Sequence, residues 1–263
     1  MSFLEGIDRP VVAHRGNRAH APENTIEAFE RALTLGPDAL EFDVRLSRDG
    51  VAMVIHDATV DRTTSGAGAV ASLSRQELQS FDAGWSHRSP DGEQRFRETG
   101  VTIPTLEATL EALGHVPLII EVKEERAVAE TKRLLARFNL TARVLIGSVH
   151  RNVMQHFYGG PYETCASMKD AALLLTRIGW RRTRSRPPFS VLSITPWYEA
   201  AVPFPVPVVT LSRIAADLGI PTHVWTINDP VQASRLWRAG ISAILSDDIE
   251  PIMQARAAAE RTR

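Results

Sequence analysis

Residues 10–46 read PVVAHRGNRAHAPENTIEAFERALTLGPDALEFDVRL, and this stretch decides the fold. It opens with a short apolar run, Pro10–His14, which reads as a buried strand. From Asn24 to Leu35 the apolar residues Ile26, Ala28, Phe29, Ala32, Leu33 and Leu35 recur at helical spacing. Asn24 or Thr25 serves as the N-cap, and Gly36 followed by Pro37 stops the helix. ALEFDVRL (39–46) is then a second strand. Strand, helix, strand is the unit from which parallel sheets with right-handed crossovers are built.

The pattern continues outward with one break. SRDG (47–50) is a tight turn and VAMVIH (51–56) a third strand. The link from Val44 to Val51 is too short for a crossover helix, which needs roughly a dozen residues. That corner is either a hairpin or a distorted strand pair. Residues 57–103, with TTSGAGA, SRQELQSFDAG and SPDGEQRF, are turn-rich and read as a small insertion after the third strand. From Pro104 the alternation resumes. Helices are expected at 105–113, 125–138, 151–157, 170–179, 210–218 and 230–239, with an Ala-rich helix at the end. Strands are expected at 116–123, 143–149, 163–167, 189–194, 222–227 and 242–246, and a Pro-rich loop at 195–207. About eight strands over this length favour a TIM-type (β/α)8 barrel, one domain over residues 1–263, rather than an open sheet.

Composition narrows the class. The 263 residues are 44% hydrophobic, enough for a sizeable core without disulfide or structural metal. The single cysteine, Cys165, excludes an internal disulfide and suits a reducing compartment. MSFLEGIDRP carries no basic and apolar leader, and no run approaches the ~18 apolar residues of a membrane span. The expectation is a cytoplasmic protein with no stable membrane insertion. A formal net charge of -1 gives no bulk attraction to nucleic acid, so no nucleic-acid partner is expected.

Catalytic groups of a barrel collect at the C-terminal ends of its strands. The polar residues there are His14, Arg15, Glu41, Asp43, His56, Glu121, Lys123 and Trp225. Glu41 and Asp43 are two apart on a strand and share a face, with Phe42 turned the other way. Glu121 and Lys123 repeat that geometry. Three carboxylates at one barrel mouth repel unless a cation lies between them, and hard oxygen donors suit one divalent metal ion, Mg²⁺ or Ca²⁺. The alternative for each carboxylate is an ion pair with a neighbouring Arg or Lys. His14 and His56 end two strands beside this cluster and suit a general acid and a general base, since imidazole titrates near neutral pH. Arg15 and Lys123 supply fixed positive charge for a phosphate, and Gly16 lets the backbone turn tightly beneath it.

These residues sit in motifs that run in one order along the chain: AHRG (13–16), APENT (21–25), LEFDVRLSRDG (40–50), VIHDATVDRTTSGAG (54–68), IPTLEATL (103–110), IIEVK (119–123), VWTIND (224–229) and ISAILSDD (241–248). The set resembles the glycerophosphodiester phosphodiesterase family. The resemblance implies a barrel with a small insertion after the His56 strand. It implies Glu41, Asp43 and Glu121 as ligands of one divalent metal and His14 and His56 as acid and base. Arg15 and Lys123 then contact the phosphate, Asn24 lies close to metal and phosphate, and Trp225 lines the pocket for a small-molecule phosphodiester. The implied activity is metal-dependent hydrolysis of glycerophosphodiesters to sn-glycerol 3-phosphate and an alcohol.

Two other readings stand beside it. A lysophospholipase D would need an apolar groove, for which Trp197, Tyr198 and Phe204 are candidates. A non-catalytic phosphoryl-ligand-binding barrel would be favoured if a carboxylate or histidine of the set were missing. GSVH (147–150) departs from the Ser-Phe often found there in the family; His150 either reshapes the pocket or begins the next helix. RIGWRRTRSRPP (177–188) reads as a solvated basic loop, with an anionic headgroup site as its rival. His20, His87, His115, His156 and His223 are expected on the surface or in packing.

Overall fold

The computed structural model describes residue 4 and residues 6–176, 187–198 and 204–261. In chain order the first half comprises β1 (Val11–His14), α1 (Ile26–Leu33), β2 (Ala39–Leu46), β3 (Ala52–Val54), α2 (Arg75–Gln79), α3 (Leu106–Leu113), β4 (Leu118–Val122), α4 (Val128–Arg137) and β5 (Val144–Gly147). The second half comprises α5 (Arg151–Met154), β6 (Glu163–Thr164), α6 (Met168–Thr176), β7 (Leu192–Ile194), β8 (Trp197–Tyr198), β9 (Phe204–Pro205), α7 (Val208–Ala216), β10 (Thr222–Val224), α8 (Pro230–Arg238), β11 (Ala243–Ser246) and α9 (Ile249–Glu260).

Eight strands form a parallel sheet in the order β6-β5-β4-β2-β1-β11-β10-β7. A parallel bridge between Cys165 and Val191 joins its two ends, so the sheet curls into a TIM-type barrel. Alternation along each strand splits the core in two. Inside the barrel Val12, Ala39, Ile119, Leu145, Cys165, Val191, Ala243 and Leu245 meet, with Leu4 against them. Outside, the other parity (Val11, Leu40, Phe42, Val44, Ile120 and Val122 among others) packs under the helices, where Phe29 and Phe42 lie 5.6 Å apart. The inward parity runs on to His14, Glu41, Asp43 and Glu121, and these strand ends make the mouth.

The corner after β2 is a hairpin. Val44, Arg45 and Leu46 pair antiparallel with Val54, Met53 and Ala52, and Val51 N–H donates to Ser47 Oγ at 2.9 Å to close the turn. The following segment holds a short 3-10 turn and α2, and it buries Val60, Val70, Leu78, Ala83, Val101 and Ile103 with Met53 and Ile55 in a cluster of its own.

Several elements differ from expectation in extent. α6 starts at Met168, earlier than expected, because Ser167 Oγ and Asp170 cap one another at its first turn. Residues 177–186, most of the basic segment, lie outside the described residues. The expected helix at 151–157 is a single turn, and the Pro-rich loop carries the two-residue pair β8–β9. His150 begins α5 as its N-cap and is exposed. Among the described residues, no helix is long and apolar enough to cross a membrane.

Candidate active site

Two neighbouring strands, β2 and β4, bring the carboxylates together, and β1 sets His14 beside them. His14 registers against Glu41 on β2, and Asp43 registers against Glu121 on β4. Glu41, Asp43 and Glu121 each offer an oxygen within 4.8 Å of the others. Asp43 is fully buried and Glu41 nearly so. Lys123 Nζ bridges two of them, 2.9 Å from Asp43 Oδ1 and 2.7 Å from Glu121 Oε2. Ion pairing and carboxylate clustering therefore coexist. Burial alone would raise the Asp43 carboxyl, but Lys123, Arg15, His56 and the Asn24 amide together hold it far below the usual range. Glu41 is pushed up, by burial first and by the Asp43 charge second.

The residues present fit a divalent cation. Glu121 Oε1 is buried with no hydrogen-bond partner among the described residues, so it is free to ligate a cation. All three donors are hard oxygens. Among the described residues, the mouth gathers six carboxylates (Glu23, Glu41, Asp43, Asp57, Glu121 and Asp247) and four cations (Arg15, Arg18, Arg62 and Lys123). Among those groups a divalent cation would offset the excess negative charge when the histidines are neutral and Glu41 is ionised.

The loop from Arg15 to Asn24 folds over this cluster. Arg15 and Asn24 both take left-handed φ, 53° and 59°, an uncommon conformation for an arginine. Gly16 follows at φ 83°; a Cβ there would lie 2.7 Å from Ala28 Cβ on α1. Thr25 caps α1 by accepting from Ala28 N–H at 3.2 Å. The turn aims the Arg15 N–H at Glu41 Oε2, 3.0 Å away, and its Nε at Asp43, 3.3 Å away. Asn24 Nδ2 donates to Asp43 Oδ2 at 2.8 Å while the Asp43 N–H donates to Asn24 Oδ1. Trp225 is half-buried against the inner barrel cluster.

Each expected histidine is held by a carboxylate that the sequence reading did not single out. His14 Nδ1 lies 2.6 Å from Asp247 Oδ1, and its Nε2 faces Glu41 at 3.8 Å. His56 Nδ1 lies 2.6 Å from Asp57 Oδ1. A carboxylate on Nδ1 makes that nitrogen the donor and leaves Nε2 to move the proton. Burial lowers the His56 pKa, against the opposing pull of Asp43 and Asp57. Glu23, Arg18 and Arg62 were likewise not singled out. Asp57 directly follows His56 in VIHDATVDRTTSGAG and Asp247 lies in ISAILSDD, so both fall inside the motifs that carry the resemblance.

Against known families, the model for the "Glycerophosphoryl diester phosphodiesterase family" matches residues 14–251. The chain belongs to the glycerophosphoryl diester phosphodiesterase family. Within this family, it is 30% identical over 257 residues to a glycerophosphodiester phosphodiesterase of Caldanaerobacter subterraneus subsp. tengcongensis, covering 92% of this chain and 96% of the relative. A glycerophosphodiester phosphodiesterase of Bacillus subtilis is 28% identical over 258 residues, 90% of this chain and 82% of the relative. Among solved structures, a glycerophosphodiester phosphodiesterase from Agrobacterium tumefaciens superposes with TM-score 0.74 at 27% identity, covering 94% of this chain and 99% of that one. An Oleispira antarctica phosphodiesterase, solved with its product sn-glycerol-3-phosphate, gives TM-score 0.75 at 25% identity, covering 98% and 99%. Membership carries the activity class, phosphodiester hydrolysis, on a TIM-barrel fold.

Proposed function

We propose that the protein hydrolyses glycerophosphodiesters to sn-glycerol 3-phosphate and an alcohol, with Mg²⁺ or Ca²⁺ held by Glu41, Asp43 and Glu121. The observation that carries this reading is the convergence of the three carboxylate oxygens beside two histidines whose Nδ1 atoms are each fixed by a carboxylate. The bound cation supplies Lewis-acid polarisation of a phosphoryl oxygen. Arg15 and Lys123 bind the phosphate and neutralise the charge that grows on it, with Asn24 holding Asp43 in place. Of His14 and His56, one takes the proton of the nucleophile, either water or the substrate's own glycerol hydroxyl, and the other gives a proton to the leaving alkoxide; by the second route water then opens the cyclic phosphate. Trp225 lines the side of the mouth that receives the substrate.

The segment 57–103 we read as an insertion that overlies the mouth of a single barrel domain, supported by its own apolar cluster. Replacing Ser74–Gln94 with a short linker should leave the barrel folded and alter substrate preference; loss of the fold itself would show the segment to be core. The lone buried Cys165 fits a reducing, cytoplasmic setting. The reaction is tested by turnover on a panel of glycerophosphodiesters and lysophospholipids, following the alcohol released from either class and sn-glycerol 3-phosphate from the first. Release from the glycerophosphodiesters is expected. Turnover confined to lysophospholipids would point to the lysophospholipase D reading, and no turnover on either to a binding barrel.

A further inference from the structure

Glu23, in the loop between β1 and α1, is used neither by the carboxylate cluster nor by the proton transfers. Its side chain is 9% exposed and meets three arginines. Oε1 accepts from Arg15 Nη1 at 2.9 Å and from Arg62 Nη2 at 2.7 Å, and Oε2 accepts from Arg62 Nη1 at 2.9 Å. Arg62 spends its remaining Nε on Asp57 Oδ2 at 2.6 Å, and the other oxygen of Asp57 holds His56 Nδ1 at 2.6 Å. Contacts at hydrogen-bond distance thus run unbroken from Arg15 to His56. Toward His14 the path is looser: Arg18 stands 3.7 Å from Glu23 and 3.6 Å from Asp247, beyond hydrogen-bond length.

We propose that Glu23 is a positioning residue for His56: through Arg62 and Asp57 it fixes the imidazole relative to the phosphate-binding Arg15. The inference rests on the acid/base reading of His56 given above. Asp57 is the chain neighbour of His56, and both side chains are partly exposed, at 27% and 31%. The pair can swing toward solvent as a unit unless something outside it holds on. Arg62 does so, but its own side chain is 47% exposed, so its rigidity comes from the two-pronged seat on buried Glu23. Burial alone would raise the Glu23 carboxyl, but the Arg62 hydrogen bonds and the charges of Arg15, Arg18 and Arg62 hold it at about 2. The brace is therefore ionised at any working pH and acts by geometry. Loss of alignment on the order of 1 Å costs about 10²-fold in rate.

The test compares Glu23→Gln, Arg62→Ala and the double variant in the full chain supplied with Mg²⁺. Steady-state kinetics on an alkyl glycerophosphodiester are paired with ¹⁵N NMR of the histidine rings, the His56 signal being assigned by its loss in His56→Gln. Each single variant should lower kcat about 10²-fold with KM within about twofold. The double variant should be no worse than either single, because both cut one path. The His56 ring signals should shift and those of His14 stay. Unchanged kcat, a rise in KM alone, or additive losses would overturn the proposal. Should Glu23→Gln fail to fold, Arg62→Ala, with its half-exposed side chain, decides the matter. If the parent protein turns over no diester, the functional reading has failed. The NMR then decides the brace alone, and an unmoved His56 signal in both single variants overturns it.

Discussion

Mild acid should destabilise this protein through a histidine in the middle of its barrel. β10 points Thr222 and Val224 outward and His223 inward, where it is 3% exposed and its Nδ1 has no hydrogen-bond partner among the described residues. Burial lowers its pKa from the usual 6.5 to about 4. Between those two values the unfolded chain takes up a proton that the folded one refuses. Stability therefore rises with pH across that window: it is fully present above 6.5, falls as pH drops and levels off below about 4. The whole window is worth about 3 kcal/mol, and about 2 kcal/mol of it is gone by pH 5. His56 is also lowered and acts with the same sign, so the comparison needs a variant. Urea unfolding at pH 8 and pH 5, in excess chelator to remove metal linkage, would be run on the parent and on His223→Leu. The parent should lose about 2 kcal/mol more than the variant between the two pH values. Equal losses would refute the reasoning, and would mean that the ring is hydrated or partnered.

Two further outcomes are expected. Gly16→Ala places its Cβ 2.7 Å from Ala28 Cβ and 2.8 Å from the Ala28 carbonyl carbon, at φ 83°, so it should cost about 2 kcal/mol and lower Tm by roughly 5 °C; an unchanged melting curve would contradict this packing. His14→Ala and His56→Ala should each lower kcat ~10²–10⁴-fold with little change in metal affinity. The one lacking the general acid should recover on an aryl phosphodiester, whose leaving group needs no proton; parallel loss of metal binding and activity in both would make the histidines ligands or supports.

Much of the barrel is legible because a strand buried on both faces still alternates. Phe42 packing outward between Glu41 and Asp43 follows from parity alone, and the same rule places Glu121 and Lys123. The parity of Trp225 also puts His223 inside the barrel. The corner at 44–54 was ambiguous because turn length excludes a crossover without choosing a register; the antiparallel pairing of Val44 with Val54 decides it. The partners of the histidines were less accessible. Asp247 meets His14 across 233 residues, only because β11 closes beside β1. Glu23 looks like an ordinary first-turn acid next to a helix start, and its three arginines arrive from the same loop and from the segment after β3. The β8–β9 pair has two-residue strands within a proline-rich stretch, too short for any periodicity to register.

The most direct test of the metal-dependent site is hydrolysis of a glycerophosphodiester by protein stripped with excess chelator, before and after Mg²⁺ or Ca²⁺ is restored, run beside Glu121→Ala. Release of sn-glycerol 3-phosphate should cease in chelator and return with the cation in the parent. In the variant it should stay absent while the fold is retained. Full activity in excess chelator, or in Glu121→Ala, would contradict the account.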